Sequence, residues 1–335
     1  MRAIQLTAPG GLDNLKLVTL PDPGQPAPGE IRVRLHASSL NFHDYAVASG
    51  WMPAADGRIP MSDGAGVVDS VGEGVTEFAA GDHVVSCFFP QWQDGPPTVG
   101  DFSGTPGDGV DGYACGWAVR PATWFTHAPK PFSHAEAATL TTAGLTAWRA
   151  LVVDGQLKAS DTVLVLGTGG VSIFALQIAR AMGATVIATS SSDEKLERAR
   201  DLGAAHTVNY KTHPDWGKRV FDWTGGRGVD HVIEVGGPVT LPQSITALRI
   251  GGHIALIGVL TGLEGPIPTA ALMGKQARLQ GLIVGSRRQQ IDMVQWLDSS
   301  GVRPVIDRRF PLSDIADAFR HQGGPSHFGK IVLDI

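Results

Sequence analysis

The sequence predicts an α/β protein built on a doubly wound parallel sheet, preceded by a second, mostly β part. Three observations carry this. Between about residues 160 and 260, apolar strand-like runs alternate with amphipathic helical runs at the spacing of βαβ units. One strand-to-helix joint, residues 166–171, reads LGTGGV. Ahead of residue 135 the pattern changes to short alternating stretches separated by Pro/Gly clusters.

The β part comes first. Alternating stretches at 2–8 and 31–39 flank PDPGQPAPGE (21–30), and further β signals follow at 66–71 and 82–88. Residues 94–112 hold six glycines and three prolines, long for a structureless loop. That segment reads as either a linker or a lid. Phe88, Phe89 and Trp92, just before it, suggest a pocket rim or a loop packed by its own aromatics.

Helical patterning begins with HAEAATL (134–140) and LTAWRALV (145–152). The repeat then runs strand 162–167, helix 171–183, strand 185–190, helix 193–203 and strand 206–210. It continues with a helix around 215–223, strand 229–237, helix 241–252 and strand 253–260. Helices at 290–300 and 312–321 and a final strand at 329–335 close the chain.

A chain of 335 residues exceeds one ordinary core, so two domains are expected. The net charge is −5 and no Lys/Arg run exceeds two, which argues against a nucleic-acid partner held through its phosphates. No apolar stretch approaches the ~20 residues that span a bilayer, and MRAIQLTAPGG lacks the apolar core of a signal peptide. Cys87 and Cys115 alone build no disulfide framework and suit a reducing compartment, so the expected location is cytoplasmic.

The glycine joint carries the functional argument. Gly167, Gly169 and Gly170 permit a tight turn and let a pyrophosphate approach backbone N–H groups, while Val171 opens a helix whose N-terminus favours an anion. This is a Rossmann dinucleotide-binding signal, with Ser172 at the third glycine position. The bland alternative is a glycine-rich turn that binds nothing. The second strand ends TSSSDEK, where NAD-binding sites usually carry an acid for the ribose 2′-OH. Ser190, Ser191 and Lys195 suit a 2′-phosphate instead, so NADP(H) is the expected cofactor. The same serines also suit the cap of helix 193–203.

The chain resembles the medium-chain dehydrogenase/reductase superfamily, in its zinc-free, quinone-oxidoreductase-like branch. The resemblance rests on NFHDYAVASG (41–50), DGAGVVDSVGEGVTEFAAGDHV (63–84), AATLTTAGLTAWRAL (137–151), LGTGGVSIFALQIARAMGA (166–184) and HFGKIVLDI (327–335). It implies a GroES-like, mostly β catalytic domain from residues 1–135 and 285–335, with a Rossmann domain at 136–284 between them. It also implies a cofactor cleft and homodimers joined through the edges of the Rossmann sheets. Zinc-dependent relatives place ligands where this chain has Asn41, Ser62-Asp63 and Thr139, none of them Cys or His, so no metal is expected. His83 and Cys87 fall on one strand face and read as a buried strand pair rather than half a metal site.

Without a Lewis acid, reducing an electrophilic acceptor is easier than oxidising an alcohol. The expected activity is NADPH-dependent reduction of a quinone or activated alkene. Asn41 corresponds to the asparagine that relatives place beside the nicotinamide ribose and substrate, where its amide would donate to a developing oxyanion and accept from a ribose hydroxyl. His43 fills the slot of a proton-relay hydroxyl in zinc alcohol dehydrogenases, and Asp44 reads mainly as a helix cap. Several relatives carry tyrosines where this chain has Ala46 and Met52, and Tyr45 lies one residue out of register with the first. Trp51, Met52, Phe88, Phe89 and Trp92 point to a small apolar or aromatic substrate.

The resemblance also puts Thr142 and Gly144 near the nicotinamide and Tyr210 at the adenosine phosphate end. It brings Gly236 and Val259 to strand ends lining the cofactor, and Val284 and Gly285 toward the carboxamide. Lys330 is either a phosphate contact or, more simply, a surface lysine. Two other functions stay open: a zinc-free alcohol dehydrogenase or carbonyl reductase, and a catalytically silent NADPH-binding protein.

Overall fold

The computed structural model describes residues 1–335. They divide into two compact units, Met1–Leu145 with Val284–Ile335, and Thr146–Ile283. In chain order the elements begin with β1 (Arg2–Leu6), β2 (Leu15–Thr19), β3 (Glu30–Ser39), α1 (Phe42–Ala48), β4 (Ala65–Val71), β5 (His83–Ser86), β6 (Trp117–Pro121), β7 (Phe125–His127), α2 (His134–Ala138) and α3 (Leu145–Trp148). They continue with β8 (Thr162–Leu166), α4 (Gly170–Ala181), β9 (Thr185–Ser190), α5 (Asp193–Asp201), β10 (His206–Asn209), α6 (Trp216–Trp223), β11 (Val229–Glu234), α7 (Leu241–Ala247) and β12 (Leu248–Leu256). Last come α8 (Thr269–Gly274), β13 (Arg278–Gly281), α9 (Arg287–Ser300), β14 (Ile306–Pro311), α10 (Ile315–Gly323) and β15 (Lys330–Asp334).

The first unit is built on a sheet of order β14-β15-β3-β4-β5-β7, with β6 also paired to β3. The closing strand β15 runs antiparallel to β3, Val332 opposite Ser39 and Leu333 opposite Ser38. Its apolar side chains Ile331 and Leu333 join Ile31, Val33, Leu35, Val84 and Phe125 in one core. The end of the chain therefore completes the first unit. Gly66 on β4 fits because it lacks a side chain: a Cβ there would lie 2.0 Å from the Arg34 carbonyl oxygen on β3.

The second unit is a six-stranded parallel sheet of order β10-β9-β8-β11-β12-β13. Strand order reverses between β8 and β11, the place where open α/β sheets present a ligand crevice beyond their C-terminal ends. Helices cover the sheet, so β11 is buried along its whole length and reads as a nearly continuous apolar run. This is the expected doubly wound fold. With the GroES-like first unit, it gives the predicted α/β architecture.

Several local expectations differ from the structure. The helix expected over 241–252 stops at Ala247, and Leu248–Leu256 is strand β12. Leu248 pairs with Val229 of β11, and Gly251, at φ +70°, suits no helix. Residues 140–153 include two π-helical stretches, Leu140–Gly144 and Arg149–Val153, on either side of α3. Residues 136–145 belong to the first unit. Strands β2, β6, β7, β13 and β14 escaped the reading because they are short or, like β2, only half-buried and without strict alternation.

His83 corrects another expectation. It is exposed at the start of β5, while Cys87 is buried. Its ring lies 4.6 Å from that of His134, which stacks at 4.6 Å on His36. The imidazole is held by surface ring stacking, not by the strand interior.

G66A forces Cβ into the β3 backbone and should destabilise the first unit by about 1–3 kcal/mol, read as a lower urea midpoint against wild type.

Candidate active site

The polar centre of the first unit starts at the end of β3, where Ser39-Leu40-Asn41 turns into α1. Asn41 caps this helix in extended geometry, and its backbone N–H donates to Asp44 Oδ2 at 3.0 Å. Asp44 is buried, and its Oδ1 accepts from Ser62 N–H at 2.8 Å, tying the helix to the 62–63 loop. The expected capping role of Asp44 is thus joined to a second one, holding Ser62.

The Asn41 amide is held on both sides. Its Nδ2 donates to Asp44 Oδ2 at 2.9 Å and to the Ser39 carbonyl at 3.3 Å, and its Oδ1 accepts from Lys330 Nζ at 2.5 Å. An ammonium donates only, so the lysine fixes which end of the amide is oxygen. Both amide hydrogens are engaged inside the protein. Of the two expected roles, donation to an oxyanion finds no free amide hydrogen, and acceptance from a ribose hydroxyl keeps the remaining lone pair of Oδ1.

Lys330 is no surface lysine: only 3% of it is exposed. It opens β15, and its ammonium donates to the Leu40 carbonyl at 2.6 Å and lies 3.7 Å from Asp63 Oδ2. Asp63 is fully buried and accepts from Ser39 Oγ and Thr142 Oγ1, each at 2.6 Å. Burial pushes the Asp63 carboxyl up and the Lys330 ammonium down, while their mutual attraction opposes both shifts. Such a pair holds its charges only where hydrogen bonds satisfy the remaining donors and acceptors, as here.

Thr142 reaches Asp63 from the π-helical stretch Leu140–Gly144, where the Gly144 N–H bonds the Thr139 carbonyl five residues back. π-Bulges of this kind recur at functional sites because they re-aim side chains. Asn41 and Thr142 are thus brought together through Asp44, Ser62 and Asp63.

His43 lies one turn into α1. Its Nε2 is 3.3 Å from Asp108 Oδ2, both side chains almost enclosed, and its ring packs 4.4 Å from Phe102 and 5.5 Å from Phe88. Phe102 stacks on Phe89 as well. Residues 94–112 therefore fold back onto α1 and are no free linker. Phe88, Phe89 and Trp92 are buried, whereas Trp51 is half exposed and edges onto Phe42. Tyr45 turns away from this group: its ring packs on Phe319 at 6.2 Å and Phe42 at 6.4 Å. Val284 is buried at φ +45°, a strained angle for a β-branched residue, and Gly285 sits against Leu145.

In the second unit the expected cofactor residues gather at the C-terminal edge of the sheet. Gly167 adopts φ +71° with nothing within 4 Å of a built Cβ, and Gly169 and Gly170 open the twelve-residue α4 ahead of Val171. Ser172 replaces the third glycine without obstructing the turn: it is buried and donates its hydroxyl to the Leu166 carbonyl at 2.6 Å. Ser190 Oγ accepts from Ser192 N–H, and Ser192 caps α5 by accepting from Lys195 N–H. The capping serine is therefore Ser192, with Ser190 and Ser191 beside it. Tyr210 donates its N–H to the Ser190 carbonyl and leaves its ring exposed. Gly236 N–H donates to the buried Glu234, and Val259 is partly exposed beyond the end of β12. An open glycine turn at a helix N-terminus, with no carboxylate ending the second strand, fits a dinucleotide.

Matches with known families, proteins and structures bear on this geometry. Residues 27–130 match the alcohol dehydrogenase GroES-like domain and residues 170–299 the zinc-binding dehydrogenase family. A zinc-type alcohol dehydrogenase-like protein of Schizosaccharomyces pombe is 43% identical over 334 residues, covering 97% of this chain and 96% of that one. A 2-haloacrylate reductase of Burkholderia sp. is 32% identical over 92% of each chain. Among solved structures, a putative alcohol dehydrogenase from Sinorhizobium meliloti 1021 superposes with a TM-score of 0.90 at 42% identity, over 99% of this chain and 98% of that one. The quinone oxidoreductase of Pseudomonas syringae pv. tomato DC3000 gives 0.83 at 28% identity, over 100% and 99%. The chain belongs to the medium-chain dehydrogenase/reductase superfamily, in its quinone-oxidoreductase-like branch, and is an oxidoreductase of the kind that uses a nicotinamide cofactor.

The family model's zinc does not fit these residues. Asn41, Ser62 and Asp63 hold one another and Lys330, and no three His, Cys, Asp or Glu side chains converge as a metal site. Burial pushes both thiols, Cys87 and Cys115, up to about 12, far from the thiolate a metal requires.

Asp108 was not among the residues expected at the site, and the pairing of Asp63 with Lys330 was not expected either. Nothing in GKIVLDI marks its lysine as buried, and Asp108 sits in a loop without periodicity. K330M leaves Asp63 uncompensated and should cost about 3–5 kcal/mol of stability, part of which K330M/D63N should restore. Urea unfolding of the three proteins checks both.

Proposed function

We propose that this protein is an NADPH-dependent, zinc-independent reductase of quinones or activated alkenes, acting on a small apolar or aromatic electrophile. The observation that carries the reading is the donor set around Asn41. Amide, hydroxyl and carboxylate groups there bind one another and a lysine, so the site is built for positioning and not for a Lewis acid. The names of the 2-haloacrylate reductase and the quinone oxidoreductase support the same class of acceptor.

Gly167, Gly169, Gly170 and Val171 would hold the pyrophosphate, with Ser190, Ser191 and Lys195 on a 2′-phosphate. Tyr210, Gly236, Val259, Thr142, Val284 and Gly285 complete the cofactor contacts. When bound, the nicotinamide supplies a hydride. Addition of that hydride to the β-carbon of an enone leaves an enolate, which needs a proton at the α-carbon. In this reading His43, whose Nε2 lies 3.3 Å from Asp108 Oδ2, delivers that proton through Nδ1 and regains one from water. Asn41 Oδ1 accepts from a ribose hydroxyl. Tyr45, turned toward Phe319, is not needed for the proton.

A second reading, interconversion of an alcohol and a carbonyl compound, draws on the names of the S. pombe and S. meliloti proteins. A panel decides between them. NADPH should be oxidised with quinones and enones at least tenfold faster than with ketones, and tenfold or more better than NADH, with K195A narrowing that cofactor gap. With an α-substituted enone, H43Q should lower kcat by 10²–10⁴ and scramble the configuration at the α-carbon. Equal turnover of alcohols, or no turnover with tight NADPH binding, would favour the second reading or a silent binding protein respectively.

The reading includes a cytoplasmic homodimer. Both cysteines are free, which suits a reducing compartment, and no helix is long and apolar enough to cross a membrane. Strand β13 is the unpaired edge of the parallel sheet. Near it Leu260, Leu263 and Met273 are each more than half exposed, an apolar concentration that monomers rarely show. Light scattering should give twice the chain mass, and M273D/L263D should halve it.

A further inference from the structure

Parallel strands covered on both faces are expected to be apolar, and one row of the second sheet breaks this rule. In register across neighbouring strands, Val163 of β8 faces His231 of β11, His231 faces His253 of β12, and His253 faces Arg278 of β13. This row lies toward the N-terminal ends of the strands, opposite the glycine turn. His231 and His253 are 5% and 4% exposed, and their rings meet edge to face at 5.8 Å.

Each ring has a nitrogen without a partner. Nδ1 of His231 and Nε2 of His253 are enclosed and make no hydrogen bond. Buried orphan nitrogens are rare and ask for a missing partner. Nε2 of His231 pairs with Asp161 at 3.1 Å, and burial pushes this ring down, so the neutral imidazole donates through Nε2 and its Nδ1 is left an acceptor.

The row borders a cavity of about 290 Å³ that is also lined by Lys158, Arg249, Asp161, Asp230 and Arg278, close to the lower size of small-ligand pockets. Its two carboxylates are already satisfied. Asp161 Oδ2 accepts from Lys158 N–H as well as His231. Asp230 accepts from Arg227, Arg249 and Thr162 N–H, and against burial these bonds hold it down to about 2. Lys158 and Arg278, both exposed, leave the rim electropositive. Burial, then Arg278 and His231, pushes His253 down to about 3, a direction that an anion beside the ring would oppose.

We propose that this end of the sheet is a second binding site, separate from the glycine turn, for a phosphate-class oxyanion held by His253, Arg278 and Lys158, beside the His231 ring. Charge decides the class: the lining carries Lys158, Arg249 and Arg278 against Asp161 and Asp230, and these cations with the His253 N–H match tetrahedral oxyanion acceptors.

The test titrates inorganic phosphate into the full chain with NADP⁺ in excess, so that any 2′-phosphate subsite is filled. Ionic strength is fixed with sodium chloride, and calorimetry and the imidazole NMR signals are followed. Saturable binding that shifts the His231 and His253 signals is expected. R278M and K158A, both at exposed positions, should each weaken it about tenfold, and H253N should abolish the shifts. K218A, which removes a lysine elsewhere on the same unit, should change nothing. A response that does not saturate, or that is as strong in R278M and K158A as in wild type, marks adventitious anion binding and overturns the proposal. Signals that move only with a divalent cation overturn it in favour of a metal.

Discussion

The buried pair of Asp63 and Lys330 organises the first unit. Each charge alone would be intolerable in that interior. Together they are acceptable because Ser39, Thr142, Asn41 and the Leu40 carbonyl take up the remaining donors and acceptors. The five polar side chains come from distant stretches: the end of β3, the 62–63 loop, the π-helical turn and the last strand. A single charge interaction thereby sets the place of Asn41 and Thr142. It also accounts for the poor fit of zinc, because a metal would have to compete with an ammonium for the same carboxylate.

The second unit solves a different problem. Its strands carry apolar residues on both faces, so chemistry is confined to strand ends, where loops and helix termini expose backbone donors. Ser172 shows how a departure from the ideal glycine pattern is absorbed: the side chain turns inward to the Leu166 carbonyl and leaves the N–H groups of the turn uncovered. The row of His231, His253 and Arg278 is the counterexample, polar side chains within the sheet itself.

The parallel sheet was legible in the sequence because helix and strand periods alternate cleanly from 162 to 256, and the glycine turn stood out for the same reason. Ends of elements were less legible where two neighbours compete: 248–252 reads as helix until the pairing of Leu248 with Val229 is known. Asn41, His43 and Thr142 were found through resemblance, but not what they touch. That Asn41 has no amide hydrogen to offer depends on a lysine 289 positions away, and the partner of His43 lies on a loop whose sequence carries only turn signals. The one-residue offset of Tyr45 is enough to turn its ring toward Phe319, since neighbours on a helix point about 100° apart.

The position of β15 has a consequence for how the molecule comes into being. Thr146–Ile283 is one uninterrupted stretch, able to condense while the ribosome is still at work. The first unit has no such freedom. Its sheet lacks a strand between β14 and β3, and Asp63 lacks its counter-ion, until Lys330–Asp334 has been made. During synthesis Asp63 therefore stays hydrated, and the β3 edge that β15 will cover is open to a chaperone or to another nascent chain. The order of assembly is written into the topology: the nucleotide-type domain first, the reactive centre last.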